Sequence, residues 1–276
     1  MSSISKHVAV IDAGGTRIAS VGHVLFAATL IALGISGLVT GRFAGIWGSV
    51  PRGFPARDAL AFVCACVSLV CGAGLLLRRT AAVAAAALLA YLLLWLLLVK
   101  VPYIIASPLV EVNYESAGET VVLVAGAWAL YTWLTSGWDV RWLEVAAGEG
   151  GVRLARLLYA LALIAFGLSH FAYLGYTALL VPGWLPAHVF WAAFFGATYL
   201  AAAAAVLSGV LARLAVTLSA LQMGLFTLLV WVPFALAGHI SAGQWGELGD
   251  SWTMTVAAWL VAETYRGRPW LAINRR

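Results

Sequence analysis

Eight long apolar runs divide this chain, and each ends at a short stretch of charge, proline or glycine. They fall at residues 20–41, 58–78, 80–101, 119–137, 152–175, 187–208, 211–235 and 251–265. An α-helix rises about 1.5 Å per residue, so about 20 residues cross a hydrocarbon core of about 30 Å. Inside lipid every backbone N–H and C=O must be satisfied internally, which leaves helices and closed barrels. Continuous apolar runs of this length are helical. The fourth and eighth are short or interrupted by polar residues. The breakers between runs are Pro51, Gly53 and Pro55, then Arg78–Arg79–Thr80, Pro102 and Pro108, and Pro182, Gly183 and Pro186.

Only 10% of the 276 residues are charged and 63% are hydrophobic. A soluble domain carries about a quarter charged residues, so lipid is the solvent for most of this surface. The formal charge of +5 does not mark a nucleic-acid binder, because Lys and Arg lie between the runs rather than in one patch. With the N-terminus inside, twelve of the sixteen fall on the inner side, and Arg42, Arg52, Arg57 and Lys100 on the outer. That bias places both termini in the cytoplasm.

Residues 1–19 lack the pattern of a signal peptide and read as a cytoplasmic tail. Val8–Arg17 superficially resembles the first phosphate loop of sugar kinases, but a membrane span follows it instead of a nucleotide-binding domain. Cys64, Cys66 and Cys71 fit neither CxxC nor a zinc pattern and read as small packing residues.

Shifted by 131 residues, the first half falls on the second. Pro51 meets Pro182, Pro55–Ala56 meets Pro186–Ala187, and LLVKVP (Leu97 to Pro102) meets LLVWVP (Leu228 to Pro233). Gly118–Glu119 meets Gly249–Asp250, and Ala127–Trp128 meets Ala258–Trp259. Upstream, Gly34-x-Ser36 meets Gly167-x-Ser169 at an offset of 133. Leu and Ala bias does not align prolines, Gly-acid pairs and tryptophans at one offset. The expected fold is all-α, a polytopic membrane protein of eight helices in two parallel four-helix-bundle repeats. The repeats are 20–137 and 152–266, joined by a cytoplasmic linker at 138–151 and followed by a basic tail at 267–276. Four spans per repeat give both halves the same orientation, related by an approximate two-fold axis along the membrane normal.

The stretch GLSHFAYLGYTALLVPGWLPAHVFW (Gly167 to Trp191), with Ala212–Arg213–Leu214 and LLVWVP, resembles the DoxX family of small bacterial membrane proteins. The resemblance covers roughly 155–262 well and 20–137 weakly, through the repeat. The usual unit there is one four-helix bundle, so this chain departs from it by doubling. The resemblance implies a bacterial inner-membrane protein with a quinone or redox association and a redox enzyme as partner, since a related subunit accompanies thiosulfate:quinone oxidation. It transfers no catalytic residues.

Ionisable groups at membrane depth are costly and therefore candidates for function. His170 lies within the fifth run beside Ser169, Phe171 and Tyr173, and its counterpart is Gly37. A neutral imidazole there can serve a quinone, a haem or a proton relay, or simply bond a neighbouring helix. His23 and His170 lie at different depths, a poor pair for haem. Glu119 and Asp250 are expected at the outer starts of their helices, where a carboxylate complements the dipole. Arg57 and His188 match across the repeat and are set to meet them, Arg57 with Glu119 and His188 with Asp250. Lys100 is expected to reach for the interface, with Glu111 and Glu115 in the next loop. Gly37, Gly41 and Gly45 read as a helix-packing row, and the tryptophans near the ends of runs as an interfacial belt.

No nucleophile–base triad, metal motif or phosphate loop appears, and independent catalysis is not expected. Three functions stay open. A redox-associated subunit requires His170 to face an enclosed aromatic-lined cavity, and one local backbone bond would deprive it of its main residue. A transporter or small-molecule binder requires a wet cavity near the pseudo-two-fold axis, lined by residues from both halves. An assembly protein requires filled bundles with every buried polar group paired.

Overall fold

A computed structural model of the protein describes residues 18–48, 50–51, 53–136, 146–238 and 241–273. The N-terminal tail to residue 17, with the Val8–Arg17 stretch, the linker residues 138–145 and the last three residues lie outside the described residues.

The described residues form helices and no strand. The long ones are α1 (Val21–Thr40), α2 (Arg57–Leu76), α3 (Ala81–Ala106), α4 (Glu111–Leu134), α5 (Gly148–Ala172), α6 (His188–Ser208), α7 (Ala212–Leu236) and α8 (Ala242–Glu263). The first seven are long and apolar enough to cross a membrane. α8 is 22 residues long, with Gln244, Glu247 and Asp250 in its first half. Its start is fixed by a capping box in which Ser241 Oγ accepts from Gln244 N–H and Gln244 Oε1 accepts from Ser241 N–H. At the other end of the chain Ser20 caps α1, and Gly41, at φ 65°, closes it in the left-handed conformation.

Three boundaries differ from the apolar runs. α3 continues past residue 101 to Ala106, α4 begins at Glu111 rather than 119, and α8 begins at Ala242 rather than 251. Polarity ended two of these runs and Pro102 the third, but polar side chains do not by themselves end a helix. Pro102 is carried through because the helix widens before it. Leu96–Lys100 form a π turn in which Val101 N–H reaches back to Leu96 C=O, and the proline sits where the missing N–H is tolerated. α7 does the same at Thr227–Trp231 before Pro233, with Val232 N–H on Thr227 C=O.

These two π turns lie 131 residues apart, as do the starts of α2 and α6, of α3 and α7, and of α4 and α8. Ala56 (φ 53°) and Ala187 (φ 57°) also stand 131 apart. They are two of the three described non-glycine residues in the left-handed region, each directly before a helix.

Each long helix packs on the next in the chain and α8 returns to α1, so the eight close a ring. α4 and α8 also touch across its middle. Their crossing is Gly126 on α4 against Ala257 on α8, where a Cβ on Gly126 would meet Ala257 Cα and Cβ at 2.8 Å. Consistent with this central place, α4 is buried nearly all round from Ala117 to Leu134. The glycine row of α1 divides its duties. Gly37 lies on Ala65 of α2, Gly41 is the helix cap, and Gly45 lies against the Gly246 carbonyl of α8. The cysteines are free thiols, with Cys64 and Cys71 buried in packing and Cys64 Sγ 3.4 Å from Tyr91 Oη.

Between α1 and α2 a 3-10 turn, Gly45–Trp47, drives Trp47 into the core. The indole is fully buried, edge-on to Tyr91 and Trp95 with centroids 5.3 Å away, and its Nε1–H donates to Ser68 Oγ at 2.9 Å. A Trp47→Phe protein keeps an aromatic ring but loses that bond and some volume. Its expected cost is about 1–2 kcal/mol, to be read from equilibrium unfolding in denaturing detergent.

Candidate functional site: an acidic row facing one lysine

Glu111, Glu115 and Glu119 recur every four residues along α4 and form one inclined stripe on that helix. On α8, Glu247 and Asp250 are three apart and share a face. α4 and α8 cross in the middle of the ring, and Glu119 and Asp250 come into one region. Lys100 enters it from the π turn of α3. The bulge shifts the register of the helix at that point and turns the lysine inward.

Lys100 is only 4% exposed, and its Nζ donates to Ser116 Oγ at 2.7 Å. Its charge acts on both Glu119 and Asp250. Glu119 in turn interacts with Asp250, Glu115 and Glu247, and Asp250 with Glu247. Glu111 interacts with Glu115. Asp250 is 7% exposed, and its Oδ1 is buried without accepting a hydrogen bond. Of these five acids only Asp250 is buried; Glu111, Glu115 and Glu119 are half-buried and Glu247 is exposed, so the buried part of the arrangement is Lys100 with Asp250, and Glu119 at its edge. No three of the described His, Cys, Asp and Glu side chains stand close enough to hold a metal ion.

This geometry revises several expectations. Glu119 and Asp250 do not stand at helix starts. Each lies eight residues in, after Glu111 and Ala242 respectively, so neither caps a helix end. Lys100 turns into the protein rather than to the interface, because α3 runs on for six residues beyond it. Glu111 and Glu115 belong to a helix, not to a loop. Arg57 does not pair with Glu119. Its guanidinium lies 5.0 Å over the Phe43 ring, with Nε buried and unbonded. His188 opens α6 directly after the left-handed Ala187, and no ion pair joins it to Asp250 among the described residues.

His170 is half-buried near the end of α5. Its Nδ1–H donates to Phe166 C=O at 2.8 Å, and its ring stands edge-on to Tyr199 at 5.4 Å. That is the local backbone bond that weakens a redox role for it. Tyr173 is exposed where α5 breaks into the short helix Leu174–Leu179. His23 is fully buried at the start of α1. Its Nδ1 accepts from Ala19 N–H, and its Nε2–H donates to Leu75 C=O. Both nitrogens are engaged, which leaves no lone pair for an iron.

The acidic stripe is hard to see in the sequence because Glu111 and Glu115 fall outside the apolar runs and Glu119 is the first residue of one. The four-residue spacing of Glu111, Glu115 and Glu119 was the available signal. No family model matches the chain, and no curated protein or solved structure matches it.

Proposed function

We propose that this is an eight-span bacterial inner-membrane protein, built of two four-helix repeats, that binds or passes a small molecule at the polar site between its halves. The single observation that carries this reading is the convergence of Lys100 and Glu119 from the first half with Asp250 from the second. Charges are not kept in such a place for stability alone, since well-packed apolar residues serve that end as well or better.

The two-repeat architecture is supported by the common offset of 131 in the helix starts, the π turns and the left-handed alanines. It is supported again by the central crossing. Gly126 and Ala257 are themselves 131 apart, so equivalent residues face each other, as they do on a two-fold axis. α8 begins as α4 does and serves as the eighth span. The DoxX resemblance agrees with a four-helix unit, here doubled, and the Lys and Arg distribution with both termini cytoplasmic. A quinone-side role is disfavoured because His170 spends Nδ1 on its own helix.

The test is a melting-temperature titration of the purified protein with anionic, zwitterionic and cationic solutes. Wild type is compared with Asp250→Asn and His170→Ala, and extracted quinone is measured in each. At least one solute class is expected to stabilise wild type and to bind Asp250→Asn at least about tenfold more weakly, about 1.4 kcal/mol. His170→Ala is expected to respond as wild type. If no class stabilises the protein and a stoichiometric quinone disappears in His170→Ala, the redox reading replaces this one.

A further inference from the structure

We infer that the segment after α8, residues 264–273, docks an anionic phospholipid headgroup together with Arg156 of α5 and Arg213 of α7. This goes beyond the small-molecule reading and uses none of its residues. Three observations carry it.

The first is where the segment lies. Past α8 the chain folds back on its own bundle. Leu211 N–H, one residue before α7, donates to Ala272 C=O at 2.8 Å. Arg156 donates from Nε to Thr264 Oγ1 at 2.9 Å and from Nη2 to Thr264 C=O. Arg213, the second residue of α7, donates from Nη1 to Arg268 C=O. α7 is long and apolar enough to cross a membrane. A segment fastened to its first turn therefore sits at the bilayer boundary, at the level of the headgroups. By the Lys and Arg distribution this is the inner end.

The second is a set of cations without acids. The guanidinium groups of Arg156 and Arg268 stand 3.8 and 5.7 Å from the centre of the Tyr265 ring. That of Arg213 lies 3.9 Å over the Trp270 ring. These two rings, and the bond from Arg213 to Arg268 C=O, gather the three arginines into one patch. The ion pairs among the described residues are Arg153 with Glu149 and Arg266 with Glu263, and none of the three takes part in them. Glu263, the nearest acid in the chain, already accepts from Trp259 Nε1–H and from Arg266. Arg268 is exposed, and its side chain donates to no described residue, while Arg213 spends a single N–H. The first turn of α7 holds no acidic residue and no side-chain cap, so the positive end of that helix adds to the patch. A phosphodiester with net negative charge offers the acceptors that free guanidinium edges bind best.

The third is apolar surface beside the charge. Trp270, Leu271 and Ile273 are exposed in the same segment. A free soluble anion makes no use of them. A phosphate that carries acyl chains does, because indole and aliphatic side chains enter the boundary of headgroup and chain while arginines meet the phosphate. The bundle itself does not require this arrangement. At the equivalent positions of the first half Arg213 and Arg268 are replaced by Ala82 and Gly137.

The test titrates the full chain, in neutral detergent, with dioleoyl phosphatidylglycerol and separately with dioleoyl phosphatidylcholine, and counts bound lipid by native mass spectrometry. One phosphatidylglycerol per chain is expected to bind at least about tenfold more tightly than phosphatidylcholine, a difference of about 1.4 kcal/mol. The preference is expected to shrink as salt is raised. Both results are read in wild type and do not depend on the folding of a variant. Arg268→Gln removes a side chain that bonds to no described residue. It is expected to keep the wild-type melting temperature in lipid-free detergent and to cut the preference at least about threefold, about 0.7 kcal/mol. The double variant Arg213→Gln with Arg268→Gln is expected to abolish the preference, and Arg42→Gln, an exposed cation in the turn after α1, to keep it. Equal affinity of wild type for the two lipids overturns the inference, as does a preference that the double variant retains. Glycerophosphoglycerol, the same headgroup without acyl chains, is expected not to displace the lipid at equal concentration. Displacement by it would assign the patch to a soluble anion and overturn the lipid assignment.

Discussion

A Gly126→Val protein is expected to lose more than about 3 kcal/mol of stability, or to fail to accumulate as a folded monomeric unit in detergent. Any side chain at position 126 would start 2.8 Å from Ala257 Cα and Cβ and 2.9 Å from its carbonyl oxygen. The obstacle is backbone, so no rotamer change relieves it. α4 and α8 would have to separate, and with them the contact that spans the ring. Gly175→Ala is the control, since a Cβ there meets nothing within 4 Å, and its effect is expected within about 0.5 kcal/mol. Equilibrium unfolding in denaturing detergent reads both. Equal behaviour of the two variants would show that the crossing is not under tension of packing.

Lys100→Met is the second large effect. Methionine keeps the apolar stem but removes the buried cation that acts on Glu119 and Asp250. Breaking a buried charge arrangement by deleting one partner costs about 3–5 kcal/mol, because the remaining charges stay buried and uncompensated. The sign reverses in combination. In Lys100→Met with Asp250→Asn one of those charges is gone too, so the double variant is expected to be more stable than Lys100→Met alone. A double-mutant cycle measures this coupling directly. Additive effects of the two substitutions would mean that Lys100 and Asp250 act independently.

Much of the architecture was legible in the sequence, because helices apolar enough to cross a membrane show as apolar runs and the 131-residue offset shows in the proline positions. Pro102 and Pro233 marked the two places where the helices widen into π turns, although the sequence suggested helix ends there. Pro55–Ala56 and Pro186–Ala187 marked the two left-handed entries to α2 and α6. The site was much less legible. Apolarity reports what faces lipid, and a helix at the centre of a ring faces lipid least. α4 and α8 were therefore the weakest runs, and their polar first halves were mistaken for loops. Lys100 misled for a related reason. A lysine near the end of an apolar run ordinarily reaches for water, but here the helix outlasts the run and a bulge directs the side chain inward. His170 drew attention as a lone imidazole at depth, whereas its hydrogen bond is confined to its own helix.

The meeting of Gly126 with Ala257 also bears on stoichiometry. A pair of identical chains with this crossing would place the same residue on both sides of the axis, and would bring either two lysines or none to the acids beside it. A single chain that carries both halves is released from that constraint. It can set glycine against alanine at the closest approach, and lysine against tryptophan at the site. The result is a pair of equivalent positions that are chemically unlike, a cation on one side and an indole on the other.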